Sequence, residues 1–442
     1  MAMILGALAV AGASFALAGL GSSSGTDVQA SPSAAVDLPA DAPTSDTRPL
    51  AQVDAAIATW TANLAAEPKD FIAAVNLGEL YLARTRISGD AADIDRATDA
   101  ADRALDADPG LAAARLLRAQ AAHAAHDFAA AEADALVVLD AVPDAPEALA
   151  ALGDARFELG RYTEAADTYA RLDERADGPA IDARLARLAA MTGRLDDARV
   201  LAASATRAAT DEDVAPATLA WYHGLEAALA FQAGDLAAAE AAWRAAVVAW
   251  DGSAAAHAGL GRTLAAIDDL RGARLSLERA VVIQPQPDSL RLLAEVQDLL
   301  GDSGAAATTR ATFVAVAELG GHDRQLALFL ADRGEEPERA VRLARTDLAL
   351  RGDVHAHDTL AWALLSAGRP AEADLEMRAA RSAGTEDSLL DYHAGMIALA
   401  LGRDADARDM LTDALERHPG FDLVGAERAR QALAMLDGSA GR

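Results

Sequence analysis

Between Pro146 and Asp173 apolar side chains return at helical spacing in two runs separated by a turn. Leu149, Leu152 and Ala155 form a stripe on the first run, and Ala165, Tyr169 and Leu172 form one on the second. A recurrence every three to four residues marks a helix with one buried face. Pro146 and Glu147 suit a helix start, where the missing proline N–H is no loss and an acidic side chain meets the positive helix end. Gly153 leaves room for a close neighbour. Gly160 ends the first helix, because a residue without Cβ takes the left-handed conformation of a C-terminal cap. Arg161-Tyr162-Thr163 then turns the chain, and the second helix breaks near Asp177-Gly178-Pro179. The predicted unit is a pair of antiparallel helices, neither of which can bury its apolar face alone.

The rest of the chain from residue 51 repeats this unit. An alanine early in the second helix recurs as Ala97, Ala131, Ala165, Ala198, Ala239, Ala273, Ala306, Ala340, Ala373 and Ala407. The step between them holds near a constant value and lengthens once, from Ala198 to Ala239. The middle of the first helix then falls on Gly78, Ala119, Gly153, Ala186, Ala227, Gly261, Ala294, Ala327, Ala361 and Gly395, all small, as close helix packing requires. The helix-ending position falls on Gly160, Gly193, Gly234, Gly301, Gly334, Gly368 and Gly402, with His126 and Asp268 as exceptions. Pro109, Pro143, Pro285 and Pro419 close units. This spacing resembles the tetratricopeptide (TPR) repeat, a helix-turn-helix of about 34 residues. The resemblance implies an all-α solenoid, a right-handed superhelix of about ten TPR-like repeats.

Four segments are expected: a signal peptide or membrane anchor over 1–21, a disordered linker over 22–50, the solenoid over 51–437 and a tail over 438–442. Met3–Leu20 carries no charge along its whole length, which suits an apolar leader or a short membrane span. The linker is rich in Ser, Ala, Asp and Pro and lacks helical periodicity. No Lys or Arg precedes the apolar stretch, and the next positive charge is Arg48, so the repeats are expected outside the cytoplasm, exported or tethered by residues 3–20, with a cytoplasmic chain as the alternative. Leu50–Glu67 reads as an orphan helix with Ile57, Trp60 and Leu64 on one face. Seven extra residues near Arg86–Asp95, and others at Thr206–Thr218, are expected as loops or lengthened helix ends. A last helix, Leu423–Leu436, caps the array.

Composition sharpens this picture. Of 442 residues 52% are hydrophobic but only 4% aromatic, which favours closely packed helices over sheets. There is no cysteine, so disulfides, thiolate metal sites and cysteine nucleophiles are excluded. The glycines follow the repeat rather than a phosphate-binding loop. His123 and His126 share one helical spacing but lack a third ligand nearby. His355 and His357 suit a helix start, while His223, His257 and His357 share a packing position of the repeat. The net charge of −29, with Lys69 the sole lysine, disfavours nucleic acid. It makes outward faces acidic, which is read as serving solubility, with long-range steering of a basic partner as the alternative.

No catalytic constellation emerges, and no cofactor or metal is expected. In proteins that this chain resembles, the first helix of each pair lines a concave groove that takes up a peptide or partner protein. Carried over unit by unit, that groove includes Glu79, Leu82, Gln120, His123, Asp154, Phe157 and Arg187. It continues through Trp221, Phe231, Arg262, Arg291 and Glu295, then His355, Asp358, Trp362, Tyr392 and Met396. Arginine and aromatic side chains are those that carry binding energy most often. No Lys and Asn cluster suited to clamping a terminal carboxylate is present. The expected function is a non-enzymatic protein-binding scaffold, serving envelope assembly or secretion. A spacer with no specific ligand is the alternative from another class.

Overall fold

The computed structural model describes residues 50–88 and 90–440, and among these residues every regular element is a helix. The proposed leader and nearly all of the linker lie outside them. α1 (Leu50–Ala66) precedes ten helix pairs. The first five are α2 (Phe71–Ser88) with α3 (Ala92–Ala107), α4 (Ala112–Ala124) with α5 (Phe128–Ala141), α6 (Pro146–Glu158) with α7 (Tyr162–Asp173), α8 (Pro179–Met191) with α9 (Leu195–Asp211), and α10 (Pro216–Gln232) with α11 (Leu236–Ala249). The second five are α12 (Ala254–Ala266) with α13 (Leu270–Ile283), α14 (Pro287–Leu299) with α15 (Ser303–Gly320), α16 (Asp323–Arg333) with α17 (Pro337–Leu350), α18 (Val354–Ser366) with α19 (Pro370–Ala380), and α20 (Ser388–Ala400) with α21 (Asp404–Arg417). α22 (Gly425–Ala440) ends the array and runs past residue 437. No helix among the described residues is long and apolar enough to cross a membrane.

All ten second-helix alanines are buried, none exposing more than 1% of its surface. Their methyl size sets how closely the paired helices approach. The mid-helix small residues do the same from the other side: a Cβ on Gly153 would lie 2.3 Å from the Tyr169 ring. Each pair packs on the next, and most first helices also touch the first helix of the following pair. First helices therefore lie on the inner side of the curve. Both insertions are absorbed largely as extra helix, which satisfies its own backbone groups. α2 has 18 residues, and α9 and α10 have 17 each.

The elbow between paired helices needs a left-handed residue, and it takes one even without glycine. His126 and Asp268 adopt φ of 61° and 67°, against 70° at Gly160. The two exceptions to the glycine pattern thus keep its geometry.

The solenoid curves until one superhelical turn meets the next. The Tyr162 hydroxyl accepts from the Val354 N–H at 3.2 Å, 192 residues away, and the Thr385 hydroxyl donates to the Met191 carbonyl at 2.6 Å, 194 residues away. Gln232 Nε2 donates to the Glu386 carbonyl at 2.9 Å. One superhelical turn thus spans between five and six pairs. Elbow glycines form the seam. A Cβ on Gly160, Gly193 or Gly234 would sit 2.0, 2.4 or 2.1 Å from the carbonyl oxygen of Gly352, Gly384 or Arg417. At Gly301, Gly334, Gly368 and Gly402 nothing lies within 4 Å.

This contrast separates two roles that share one sequence signature. Ala at Gly368 or Gly402 should cost about 1–2 kcal/mol for the left-handed backbone alone. At Gly160 or Gly193 the same change adds a steric penalty of about 1–3 kcal/mol. The urea midpoint of the seam variants should fall further, and protease sensitivity should rise between residues 351 and 387. Equal midpoints for the two groups would show that the turns do not bear on each other.

Candidate functional site

Because the first helices face inward and the turns touch, their polar side chains are drawn out of water and must find partners. Between α6 and α8 they do so one repeat apart. Asp154 pairs with Arg184 at 2.9 Å and accepts from the Tyr169 hydroxyl at 2.7 Å, while Glu158 pairs with Arg187 at 3.0 Å. Burial opposes it, yet the Arg184 guanidinium holds the Asp154 carboxyl below the usual carboxylate range. A second ladder joins α16, α18 and α20. Trp362 Nε1 donates to Asp332 at 2.8 Å, the Trp362 ring stacks on His393 with centroids 4.0 Å apart, and His393 Nδ1 meets Asp358 at 2.8 Å. Against the effect of burial, Asp358 raises the His393 pKa. These ladders seal much of the inner wall.

The seal fails between α14, α16, α20, the Asp422–Val424 segment and α22, which enclose about 190 Å³. Apolar walls come from Leu328, Phe329, Leu389, Tyr392 and Val424, and charge comes from Arg291, Glu295, Asp298, Arg310, Asp332, Arg333, Asp422 and Arg428. Arg291 donates to Glu295 Oε1 at 2.6 Å and lies 3.7 Å from Asp422. Asp422 also accepts from the Val424 and Gly425 N–H groups. Arg428 donates to the Asp332 backbone carbonyl at 3.1 Å. Glu295 Oε2 has no hydrogen-bond partner. Burial pushes the Glu295 carboxyl up to about 7 despite Arg291, and the Asp288 carboxyl on the same helix face up to about 6. Asp332 is raised as well, by burial and then by Asp422.

The sequence-derived groove residues divide between ladders, seam and cavity. Asp154, Arg187 and Trp362 belong to the ladders. Phe157, mostly buried, meets Tyr162 edge-on at 5.5 Å and lies under the Arg187 guanidinium at 4.5 Å. Phe231 lies in the seam, edge-on to His418 at 4.4 Å and under Arg262 at 4.6 Å. Arg262 donates onward to the Phe421 carbonyl at 3.5 Å. Arg291, Glu295 and Tyr392 line the cavity. Gln120 is buried on α4, Glu79 is exposed on α2, and Trp221 and His355 are half-buried. Trp221 packs edge-on to Tyr222 at 5.0 Å. His123 and His126 flank the Phe128 ring, with centroids 5.1 and 5.8 Å away. Among the described residues no three His, Asp or Glu side chains converge as metal ligands would.

Among the cavity residues that escaped the sequence reading are Phe329, Asp332, Asp422 and Arg428. The first two sit on the short α16, and the others belong to a segment read only as a cap. Both stretches follow the repeat register, so the available signal was their place on an inward face, not their type.

The comparisons fit this architecture. The tetratricopeptide repeat family model matches residues 124–181 and 225–289. The chain carries tetratricopeptide-type repeats over those stretches. No curated protein matches it in sequence. Similar solved structures include the yeast Tom70, 12% identical over 88% of this chain and 92% of that one with a TM-score of 0.37. Another is the APC/C hetero-tetramer Cut9–Hcn1, 13% identical over 87% of each chain with a TM-score of 0.35. A third is YrrB, a TPR protein with an unusual peptide-binding site, 17% identical over 42% of this chain and 94% of that one, at 0.30.

The two kinds of buried acid should respond oppositely to pH and to substitution. Asp154 has a depressed value in the fold, so its contribution is present above the ordinary carboxylate range and fades as pH falls through that depressed value. Asp154→Asn strands Arg184 and should cost about 3 kcal/mol at pH 7, most of it recovered when Arg184→Met is added. Glu295 has a raised value, so the folded chain binds more protons between its ordinary range and pH 7, and stability falls as pH rises through that window. Glu295→Gln, which keeps an acceptor for Arg291, should stabilise the chain by roughly 2 kcal/mol at pH 8 and hardly at all at pH 4. Urea titrations of both variants across this range measure the signs.

Proposed function

We propose that this chain is a non-enzymatic protein-binding scaffold whose partner engages the inner side of the superhelix at the cavity between α14, α16, α20 and α22. One observation carries the reading. At this cavity arginine and carboxylate groups such as Arg291 and Glu295 retain bonding capacity beside the mostly buried rings of Phe329 and Tyr392. Side chains of that kind, arranged around an indentation, carry most of the energy in protein interfaces. The family match supports a protein or peptide as the ligand class. The uncharged stretch at residues 3–20 supports a place outside the cytoplasm, exported or tethered, where such a scaffold would serve envelope assembly or secretion.

A photo-crosslinking amino acid tests where the partner sits. Placed at Arg333, on the cavity rim, it should capture one defined protein in the native cell. Placed at Val248, which is 86% exposed on the second helix α11, it should capture none. Equal capture from both positions would mean a non-specific surface. Capture from neither would favour the spacer reading, in which the solenoid sets a distance and recognises nothing.

A further inference from the structure

Resting on that reading, we infer that the cavity receives a cationic side chain, a guanidinium or ammonium on an alkyl stem, presented by an extended segment of the partner.

The cavity's lining holds acids and arginines in equal number, but its hydrogen bonds leave the inward carboxylates short of cationic partners. Of three inward carboxylates, Glu295 and Asp422 share the Arg291 guanidinium, and Asp332 takes part in neither of those pairs. Arg428 spends its donor on the Asp332 backbone carbonyl instead. Asp332 takes a neutral donor from Trp362, and Asp422 takes neutral backbone N–H groups. The remaining cations are committed elsewhere: Arg310 pairs with Asp298, Arg333 pairs with Glu335 at 2.8 Å, and His393 pairs with Asp358 at 2.8 Å. Glu295 Oε2 is left with no partner although its atom is shielded from bulk water. An unmatched carboxylate oxygen in such a place costs free energy until a donor arrives.

Shape agrees with charge. About 190 Å³ far exceeds the ~10–15 Å³ that a single water needs. Leu328, Leu389 and Val424 offer apolar walls to methylene groups, as long basic side chains require when they bury the stem and keep the head polar. The Phe329 ring already takes the Arg333 guanidinium 5.4 Å from its centroid, so a cation can approach that wall. An anionic guest would meet the opposite: three inward carboxylates, Glu295, Asp332 and Asp422, against the two inward guanidinium groups of Arg291 and Arg428.

Titration of the full chain with blocked tripeptides tests this. Acetyl-Ala-Arg-Ala-amide should bind saturably, and the Glu and Leu analogues should not. Glu295→Gln should weaken the arginine tripeptide at least tenfold while raising the stability of the free chain at pH 8, two opposite signs that a purely structural residue would not give. Glu416→Gln, at an exposed acid on the second helix α21, should leave affinity within twofold. If Glu295→Gln does not fold, Glu295→Asp reads the same contact through a shortened carboxylate. Agmatine separates the sources: weaker binding than the tripeptide supports a partner segment, and equal or tighter binding overturns the peptide and assigns the site to a free cation. Tighter binding of the glutamate peptide, or arginine binding indifferent to Glu295→Gln, overturns the cation site itself. Loss of the crosslink from Arg333 with tripeptide binding intact would retire the scaffold reading and leave the cation site standing.

Discussion

Close approach of helix backbones, made possible by alanine and glycine at the crossing points, is the constraint on which the rest of this structure depends. A single pair buries too little apolar area to hold itself together, so its stripe must meet that of the next pair. Ala97, Ala165 and Ala273 are fully buried with only a methyl group each to contribute. What they supply is proximity: larger side chains such as Tyr169, Leu117 and Leu277 then fill the hollows above Gly153, Gly78 and Gly261. Packing of this kind adds many small dispersion contacts rather than a few large burials.

Pair upon pair, the array winds until its turns touch, and that closeness decides the chemistry of its interior. An open solenoid would leave the first helices facing water, and their charges would need no partners. Here Gly160 meets Gly352 and Gly193 meets Gly384, so the inward charges are desolvated together. Asp154 with Arg184, and Asp358 with His393, are the outcome of that enclosure. Such pairs add little net stability compared with apolar residues of equal volume. They fix which residue faces which, and thereby the register of one repeat on the next.

The fold was legible because its determinants are local and periodic. The ten alanines, the small residues opposite them and the elbows could be counted along the chain, and His126 and Asp268 differ from the glycine pattern in identity while keeping its backbone. The site was less legible. Arg291, Glu295 and Tyr392 could be placed on the inner face from their repeat position, but nothing local distinguishes them from Phe231, which is used up in the seam. That distinction depends on contacts between distant parts of the chain, such as Arg262 with Phe421, and these follow from the summed rotation of five or six pairs. Arg428 and Asp422 were hidden for the same reason: a terminal helix reads as a cap until the coil brings it against α14 and α16.

Charge acts here at two ranges with one sign. The net charge of −29 gives the chain a field that draws positively charged segments from solution, strongly at low salt and weakly beyond about 10 Å at 0.1 M ionic strength. That field selects no particular partner, because exposed acidic helix faces offer the same attraction everywhere. The cavity differs in being walled, with inward carboxylates that lack matching cationic partners, so a charge that enters it is worth more than one held on the surface. Long-range attraction thus governs how fast a basic segment arrives, and Glu295 with its neighbours governs whether it stays. A rise in salt should therefore slow association far more than it speeds release, and stopped-flow measurements with the arginine tripeptide at two ionic strengths would separate the two; a release rate rising as steeply as association falls would place the binding on the outer acidic faces instead.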